Sequence, residues 1–371
     1  MQLRFRQRRQ RITAAGVAVV AMALTLAACS SSSTTTASSS TSSPAAGSTS
    51  SSAAKLSGTL NGSGSTFQTV YQQTAISSFK SVQPNMTVNY GSGGSGKGRT
   101  DLSSGVVNFA GSDSPIPSSE MANFKGKTVL YFPVFLGPIT VSYNLSGVTG
   151  LKLDSTVLAE IFSGKITTWN NSAIAALNSG VKLPSTAITT AVRSDSSGTT
   201  QNFSLYLETA AKSDWTLGSS STIKWPSTAR AGNGNPGVAQ IIKTTPGAIG
   251  YVDYADAKAS GLSFASVKNS SGNYVAPSPT SASAAGNGIT VDSNLTFHAV
   301  DSPEPTAYPI TYQSWVLVYE KQPNANDAAM LKAYIGYLVG DGQSLLGNLG
   351  YAPLPSSLQQ KTQAQLSKIT G

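Results

Sequence analysis

The chain has 371 residues and a formal net charge of +9, from 25 lysine and arginine residues against 16 aspartate and glutamate residues. Five of the nine excess positive charges are arginines near the N-terminus, so the remaining chain lacks the strongly basic character of a nucleic-acid-binding protein. A single cysteine excludes an intrachain disulfide, and a single histidine argues against a histidine-type zinc site and against a histidine-dependent nucleophile.

Residues 1–28 have the layout of a bacterial lipoprotein signal peptide. Five arginines precede an apolar stretch that ends in Leu26-Ala27-Ala28-Cys29. This ending resembles the lipobox, in which the cysteine is acylated, for example with palmitate, and becomes the mature N-terminus. Cys29 is therefore the predicted lipidation site, and the protein is expected outside the cytoplasm, anchored to the bacterial cell membrane. An uncleaved membrane anchor is the alternative, although the apolar stretch is short for a span of about 20 residues.

After the cysteine, residues 29–55 consist almost entirely of serine, threonine, alanine and glycine. Such a segment cannot bury enough apolar surface to offset the entropic cost of ordering it. It is therefore predicted to be a flexible tether, with a glycosylated stalk as the alternative. The body that follows is long enough for one large domain or two medium ones.

Strand-like and helix-like segments alternate along this body. Residues 68–82 have apolar side chains at the spacing of an amphipathic helix, and residues 86–90 alternate as a strand. Further strands are predicted over 56–61, 106–110, 131–141 (broken by two prolines), 188–192, 248–252 and 314–319, and further helices over 101–104, 154–162, 199–211 and 328–338. The alternation predicts an α/β fold with right-handed crossovers. Residues 260–294 are expected to form surface loops or a hairpin.

The first of four patches rich in glycine, serine and threonine is Gly62-Ser-Gly-Ser-Thr66-Phe67, between a predicted strand and a predicted helix. Glycine lets the backbone approach a ligand closely, and a helix N-terminus supplies free N–H groups. Thr66 adds a hydroxyl that can cap the helix or bind an oxyanion. An ordinary capped turn is the alternative.

The second patch, residues 91–99, nearly matches the nucleotide-binding P-loop motif. However, Gly98 stands where the motif requires a magnesium-binding serine or threonine, and no strand ending in a Walker-B aspartate is evident. Nucleotide hydrolysis is therefore not favoured. The same loop chemistry suits a single phosphate ion, with Ser95 as a hydroxyl donor.

The third patch, residues 111–114, contributes the carboxylate of Asp113. A carboxylate repels an anion unless a proton lies between them. Phosphate carries such a proton near neutral pH and sulfate does not, and a site built around one required hydrogen bond can reject an analogue by about 10⁴-fold. Asp113 therefore predicts discrimination of phosphate from sulfate; an exposed cap on a turn is the alternative.

The fourth patch runs from Arg193 to Thr199. Arginine presents a planar fork that matches phosphate oxygens, and Asp195 would orient and partly neutralise it. Ser197, Gly198 and Thr199 follow at the start of a predicted helix, where hydroxyl and N–H groups can bind an anion. A local salt bridge beside a capped helix is the alternative. Because the arginine would be paired, binding is expected to rest on neutral donors and to depend little on salt.

Segments in the same order along most of the body resemble the phosphate-binding proteins of bacterial phosphate ABC importers, the PstS family. They are residues 62–67, Val88-Asn-Tyr90 with the following loop, Asn108-Phe-Ala-Gly-Ser-Asp113, residues 161–170, residues 193–199, residues 245–251 and residues 349–355. The resemblance implies a two-lobed, periplasmic-binding-protein-like (type II) α/β fold with the ligand in a cleft between the lobes. Lobe I would comprise residues 56–134 and 310–371, and lobe II residues 135–309.

The resemblance also implies a function. The chain would be a receptor, not an enzyme, that binds inorganic phosphate with high affinity and delivers it to the permease of an ABC importer, whose ATPase subunit it would affect only indirectly. No cofactor, metal or nucleic acid is implied, and a monomer is expected. Three alternatives are an exported phosphatase or other hydrolase, a receptor for another oxyanion such as sulfate or molybdate, and a cell-surface adhesin.

The residues that would bind phosphate follow from the same resemblance. They are Thr66, Phe67 through its backbone N–H, Ser95, Asp113, Arg193, Ser197, Gly198 and Thr199, with Asp195 paired to Arg193. Lys97 departs from the family pattern, because the family more often has glycine there. Its side chain would either add charge near the cleft or point to solvent.

Overall fold

The computed structural model describes residues 55–371. The predicted signal peptide, the predicted lipidation site at Cys29 and residues 29–54 of the predicted tether lie outside the described residues. Within residues 55–371, no helix combines the length and the apolar character needed to cross a membrane.

Strands and helices alternate through most of the described chain, as the sequence predicts. The strands are β1 (Gly58–Gly64), β2 (Met86–Ser92), β3 (Phe109–Ser112), β4 (Val129–Tyr143), β5 (Lys152–Leu153), β6 (Thr189–Arg193), β7 (Arg230–Gly232), β8 (Ala248–Asp253), β9 (Ser263–Phe264), β10 (Ser266–Lys268), β11 (Tyr274–Val275) and β12 (Thr311–Tyr319). The α-helices are α1 (Thr69–Phe79), α2 (Ser95–Ser103), α3 (Ser155–Phe162), α4 (Ser172–Leu177), α5 (Gly198–Ala210), α6 (Gly234–Thr244), α7 (Tyr254–Ala259), α8 (Pro279–Ala285), α9 (Ala325–Val339), α10 (Leu346–Leu349) and α11 (Ser356–Gln365). Short 3₁₀ helices cover Ser118–Phe124, Asp341–Leu345 and Leu366–Lys368.

The main sheet has the strand order β2-β1-β3-β12-β4-β8-β6-β7, with β9 also paired to β4. Strand β4 lies in the middle of this sheet and pairs with a different strand along each part of its length. Residues 129–138 pair with β12, and residues 139–143 pair with β8 on the other side. We call β1, β2, β3, β12 and residues 129–138 the first half-sheet, and β6, β7, β8, β9 and residues 139–143 the second half-sheet.

The prolines of β4 do not break the strand, contrary to the prediction. Pairing with β12 shifts register between Ser314 and Trp315, whose partners are Phe135 and Pro133, so one residue of β4 has no partner. Such a bulge accommodates a proline, which cannot donate a ladder hydrogen bond. Pro138 stands where pairing with β12 ends, so its missing N–H group is also tolerated.

Two further predictions, a short helix at residues 101–104 and loops or a hairpin at residues 260–294, are correct only in part. The predicted helix over residues 101–104 begins earlier, at Ser95, because Gly94 adopts a φ of 91° and ends the preceding loop directly before the helix. In residues 260–294, the antiparallel pair β10–β11 confirms a hairpin, but helix α8 was not predicted. A capping box between Ser278 and Ser281 starts this helix, although its small side chains show no clear helical periodicity.

The packing of residues 282–299 bears on the organisation of the body. Ala282, Phe297 and Ala299 are buried in one cluster with Ala110 and Trp315 of the first half-sheet. This part of the predicted second lobe therefore packs against the first half-sheet. The lobe boundaries themselves stay a prediction.

Candidate functional site

All four patches lie where a strand ends and a helix or loop begins. Strand β1 leads through residues 65–67 to α1, β2 leads to α2 at Ser95, β3 leads to Asp113, and β6 leads through residues 194–197 to α5. In open α/β sheets, ligands bind outside the carboxyl ends of the strands. The location of the patches therefore matches the location expected for a binding site.

Direct hydrogen bonds join the patches. Ser65 of the first patch and Ser95 of the second both donate to the Asp113 carboxylate, with oxygen–oxygen distances of 2.5 and 3.3 Å. The backbone N–H of Gly96 donates to the carbonyl of Ser196, 3.0 Å away. Residues of both half-sheets therefore meet in one cluster, as the sequence patches predict.

Glycine is required where the loops touch. A Cβ atom on Gly198 would lie 2.5 Å from Ser95 Oγ and 2.7 Å from Asp113 Cβ. A Cβ atom on Gly94 would lie 2.2 Å from the Asp195 carboxylate, and the φ of 91° at this residue also favours glycine. These two glycines let the second, third and fourth patches approach each other.

The Asp113 side chain is only 1% exposed, so the alternative of an exposed cap is wrong. Besides Ser65 and Ser95, the hydroxyl of Ser314 donates to its Oδ1, 2.5 Å away. Burial raises the pKa of Asp113, and the hydrogen bonds from the three serines and the charge of Arg193 oppose this rise. An ionised carboxylate has about four lone-pair positions, so three serines leave about one for another donor.

Arg193 and Asp195 form the predicted pair. Nε and Nη2 of the arginine donate to the two carboxylate oxygens at 2.8 and 2.5 Å, while Nη1 donates to Thr199 Oγ1 at 3.2 Å. Asp195 also accepts the backbone N–H of Gly234 at 3.0 Å. Burial opposes ionisation of Asp195, but the hydrogen bonds and charge of Arg193 outweigh it, and the pKa of Asp195 is lowered.

The start of α5 is built as predicted. Ser197 is the N-cap, and its Oγ accepts the backbone N–H of Thr200 at 3.1 Å. The first N–H groups of a helix have no partner within it, so those of Gly198 and Thr199 project from the N-terminus of α5 and are available to a ligand. Ser197 and Thr199 are both fully buried.

The backbone N–H of Phe67, which is predicted to bind the ligand, already has a partner within the protein. Its backbone N–H donates to Ser65 Oγ at 3.1 Å, and its ring stacks on Tyr312 with centroids 4.6 Å apart. Thr66 is 8% exposed, and its hydroxyl oxygen accepts hydrogen bonds from Asn235. Both residues lie in the cluster, but Phe67 also anchors it to the aromatic core.

Lys97 points to solvent. Its side chain is 55% exposed and pairs with Asp101 one helical turn later, at 2.6 Å. Arg99, two residues further, is fully buried and forms a bidentate pair with Glu120 at 2.7 and 2.9 Å. Its Nη1 also reaches the hydroxyl of Ser114 at 3.2 Å, so Arg99 holds the loop that carries Asp113.

The sequence predictions missed four polar residues of this cluster: Ser65, Asn202, Asn235 and Ser314. Ser65 stands inside the first patch, and Ser314 is a polar residue in an otherwise largely apolar strand, so both had a weak local signal. Asn202 donates to the Asp113 carbonyl at 2.6 Å and to that of Gly198 at 2.9 Å.

The only histidine, His298, lies beside the cluster and not in it. It borders a polar cleft of about 550 Å³ that Ser114, Ser196 and Asn202 also line. Burial lowers the pKa of His298. Among residues 55–371, no group of three or more histidine, cysteine, aspartate or glutamate side chains is placed to hold a metal ion.

Comparisons with known proteins agree with this geometry. Residues 38–342 match the PBP superfamily domain. The chain is 34% identical over 325 residues to the phosphate-binding protein PstS 3 of Mycobacterium leprae, covering 84% of this chain and 87% of the relative. It is 35% identical over 314 residues to the phosphate-binding protein PstS of Pasteurella multocida, covering 83% and 89%.

Solved structures resemble the chain in fold. One is a high-affinity periplasmic phosphate-binding protein, PfluDING, bound with phosphate, with a TM-score of 0.69, 20% identity and coverage of 83% of this chain and 94% of that chain. Another is a phosphate-binding protein from Stenotrophomonas maltophilia, with a TM-score of 0.63, 20% identity and coverage of 83% and 93%. The predicted fold class, a two-lobed α/β fold of the periplasmic-binding-protein type, is confirmed.

Proposed function

The chain belongs to the PstS family of phosphate-binding proteins within the PBP superfamily, and we propose that it binds inorganic phosphate outside the cytoplasm and delivers it to the permease of an ABC importer. The observation that carries this proposal is the environment of Asp113. A fully buried carboxylate with about one free lone-pair position lies among hydroxyl and N–H donors at helix starts.

The donors suit a small oxyanion. The cation of Arg193 is already paired with Asp195, so these two charges cancel and the site has no net positive charge. The hydroxyls of Ser95, Ser197 and Thr199 and the free N–H groups at the start of α5 supply most of the hydrogen bonds. Neutral donors of this kind bind an anion without demanding a high local positive charge.

The Asp113 carboxylate makes the site selective. Its remaining lone-pair position needs a donor, which hydrogen phosphate and dihydrogen phosphate can provide through a P–OH group. Sulfate at neutral pH has no proton to donate, so it would place an anion against an unpaired, buried carboxylate, which is strongly unfavourable. Phosphate is therefore the favoured ligand, and the alternative function as a sulfate receptor is not favoured.

The proposed binding residues are those predicted from the sequence. They are Thr66, Phe67, Ser95, Asp113, Arg193, Ser197, Gly198 and Thr199, with Asp195 orienting Arg193. Phe67 and Ser95 differ from the others, because each already donates within the protein. The N–H of Phe67 must exchange its hydrogen bond to Ser65, and the hydroxyl of Ser95 its hydrogen bond to Asp113, for one to the ligand. We add Ser65 and Ser314 as residues that hold the Asp113 carboxylate in place.

The finer parts of the function rest on the sequence resemblance. The receptor would be a monomer, tethered to the cell membrane through a lipid on Cys29, and it would release phosphate unchanged to the permease without catalysing a reaction. Residues 56–134 and 310–371 would form one lobe and residues 135–309 the other, with phosphate bridging them. A ligand that contacts both lobes stabilises the closed form, which a permease can distinguish from the open form.

Calorimetric titration of the purified protein, freed of phosphate, tests the proposal. Phosphate is expected to bind, and sulfate to bind about 10⁴-fold more weakly or not at all. In Asp113→Asn, the amide can donate to an unprotonated oxyanion, so the preference for phosphate over sulfate should fall sharply. Equal affinities of the unaltered protein for the two ions would contradict the proposal, as would an unchanged preference in Asp113→Asn.

A further inference from the structure

Asn235 lies in the cluster but belongs to none of the four patches. It is the second residue of α6, directly after the loop that follows β7, and its side chain is fully buried. The helix packs against the second half-sheet, whereas Thr66, its nearest polar contact, follows β1 of the first half-sheet. Asn235 therefore joins the two half-sheets at the candidate site.

Its nitrogen atoms donate to two threonine hydroxyl oxygens. The backbone N–H and the side-chain Nδ2 both donate to Thr66 Oγ1, at 3.3 and 3.1 Å, and Nδ2 also lies 3.4 Å from Thr199 Oγ1. Thr199 Oγ1 accepts from Arg193 Nη1 as well, at 3.2 Å. Both threonines are proposed phosphate ligands.

These contacts determine whether the two hydroxyl groups can still donate or accept a hydrogen bond. A hydroxyl has one proton to donate and two lone pairs that accept. The nitrogen donors occupy the lone pairs of Thr66 and Thr199 and cannot accept a proton in return. The proton of Thr66 is therefore left for a ligand. Thr199 Oγ1 also lies 3.4 Å from the hydroxyl of Tyr312, but this long contact between neutral groups is weaker than a hydrogen bond to an anion, so both threonines are set as donors to an anion.

The amide oxygen gives an independent indication of a ligand. Asn235 Oδ1 is buried and has no hydrogen-bond partner among residues 55–371. Buried polar atoms without a partner are rare and unfavourable. Oδ1 belongs to the same amide group that donates to the two threonine hydroxyls, and a proton on a bound oxyanion would supply the missing donor.

We propose that Asn235 is a positioning and specificity-determining residue of this site. Its amide nitrogen keeps the hydroxyl protons of Thr66 and Thr199 available to the oxyanion, and its amide oxygen accepts a proton from that oxyanion. Asn235 and Asp113 then form two acceptors on different sides of the cluster, which together favour an oxyanion that carries protons. This inference rests on the proposed binding of phosphate.

The decisive variant is Asn235→Asp, which keeps the shape but replaces both amide hydrogens by an acceptor. The carboxylate would take the threonine protons for itself and repel the anion, so phosphate affinity should fall about 100-fold at pH 8. Burial raises the pKa of such a carboxyl group. As the pH falls and the group becomes neutral, it can again donate, so the ratio of variant to wild-type dissociation constants should shrink to about 10 near pH 5.5.

Asn233→Asp is the matched control. Asn233 is exposed, precedes the same helix, and forms no side-chain capping hydrogen bond, so this substitution adds the same charge two residues away. It should change phosphate affinity by no more than about twofold, because an exposed charge is screened by water and salt. Thermal melting without phosphate establishes that each variant is folded.

A second variant decides the question if Asn235→Asp does not fold. Asn235→Ala removes the acceptor Oδ1 together with Nδ2, so it should lower phosphate affinity about tenfold and the much weaker sulfate affinity by clearly less, because only phosphate can donate to Oδ1. A purely structural role would lower both affinities equally. The inference is overturned if wild type binds phosphate and Asn235→Asp binds it as well at every pH, or if Asn235→Ala loses both ions in proportion. Failure of wild type to bind phosphate would instead overturn the proposed function.

Discussion

The two carboxylates of the candidate site come from opposite half-sheets, and their surroundings differ. Asp113 follows β3 and accepts hydrogen bonds from three neutral hydroxyl groups, and burial raises its pKa. Asp195 follows β6 and accepts hydrogen bonds from Nε and Nη2 of Arg193, and this pairing lowers its pKa. The charge of Asp195 is thus neutralised within the protein, whereas that of Asp113 is not. Of these two carboxylates, only Asp113 is left to accept a hydrogen bond from a proton on the ligand.

The largest effect is expected from removing the cation that neutralises Asp195. Arg193→Met removes the guanidinium that binds Asp195 and Thr199, and it leaves a largely buried carboxylate without its cation. We expect phosphate affinity to fall at least about 100-fold and the free energy of unfolding to fall by about 3 kcal/mol. Calorimetric titration and urea denaturation measure the two effects.

Arg99→Met is the matched control for that variant. Arg99 also forms a bidentate pair in the protein interior, but with Glu120, behind the loop that carries Asp113. It should lose a similar or smaller part of the unfolding free energy, because Glu120 is 29% exposed and can be hydrated. Its phosphate affinity should fall much less. Equal losses of affinity in the two variants would show that Arg193 acts only as a structural residue.

A smaller effect concerns how stability without phosphate depends on pH. The raised pKa of Asp113 means that the native state binds more protons than the unfolded state between the ordinary and the raised value. Its contribution to the unfolding free energy therefore falls as the pH rises through this window. For Asp195 the sign is opposite: its contribution is present above its ordinary pKa and is lost as the pH falls through the lowered value.

Urea denaturation over a pH series, with wild type, Asp113→Asn and Asp195→Asn, checks these signs. Above the ordinary aspartate pKa, the unfolding free energy of wild type should decrease with rising pH because of Asp113, and Asp113→Asn should remove this decrease. Below the ordinary aspartate pKa, the unfolding free energy should increase with rising pH because of Asp195, and Asp195→Asn should remove this increase. The informative quantity is how the difference in unfolding free energy between variant and wild type changes with pH, since each substitution also changes hydrogen bonds and so shifts the free energy at every pH. Slopes of the same sign for both variants would contradict the comparison.

The smallest expected effect is at Lys97, an exposed cation within the second patch. Its side chain is mostly exposed and paired with Asp101, and exposed pairs of this kind contribute about 0–1 kcal/mol. Lys97→Ala should therefore change phosphate affinity by less than about threefold at any salt concentration. Titration at low and moderate salt tests this. A large, salt-dependent loss would mean that free positive charge, and not neutral donors, dominates binding.

Local sequence patterns predicted much of the site. The glycine-rich patches mark places where a strand leads into a helix start, so their assembly at one edge of the sheet follows from α/β topology. The bidentate pair of Arg193 and Asp195 was also predictable, because two residues that lie two apart in a loop can meet locally. The alternation of strands and helices predicted the α/β class, because each element is specified by its own local pattern.

Contacts that depend on distant strand pairing were not predictable in this way. Ser314 reaches Asp113 across 201 positions of sequence, and it does so at the bulge between β12 and β4. A bulge redirects a side chain by inserting one residue into a ladder, and nothing in the local pattern around Ser314 specifies it. Asn235 is similar, since its partner Thr66 lies 169 positions away. The prolines of β4 misled the strand prediction for the same reason, because only the partner strand shows that they are tolerated.

Strand β4 has a mechanical consequence. Its backbone passes without interruption from residues paired with β12 to residues paired with β8, and Pro138 marks the change. Rotation of one half-sheet relative to the other would therefore twist β4 where its pairing changes, with the ladders on either side intact.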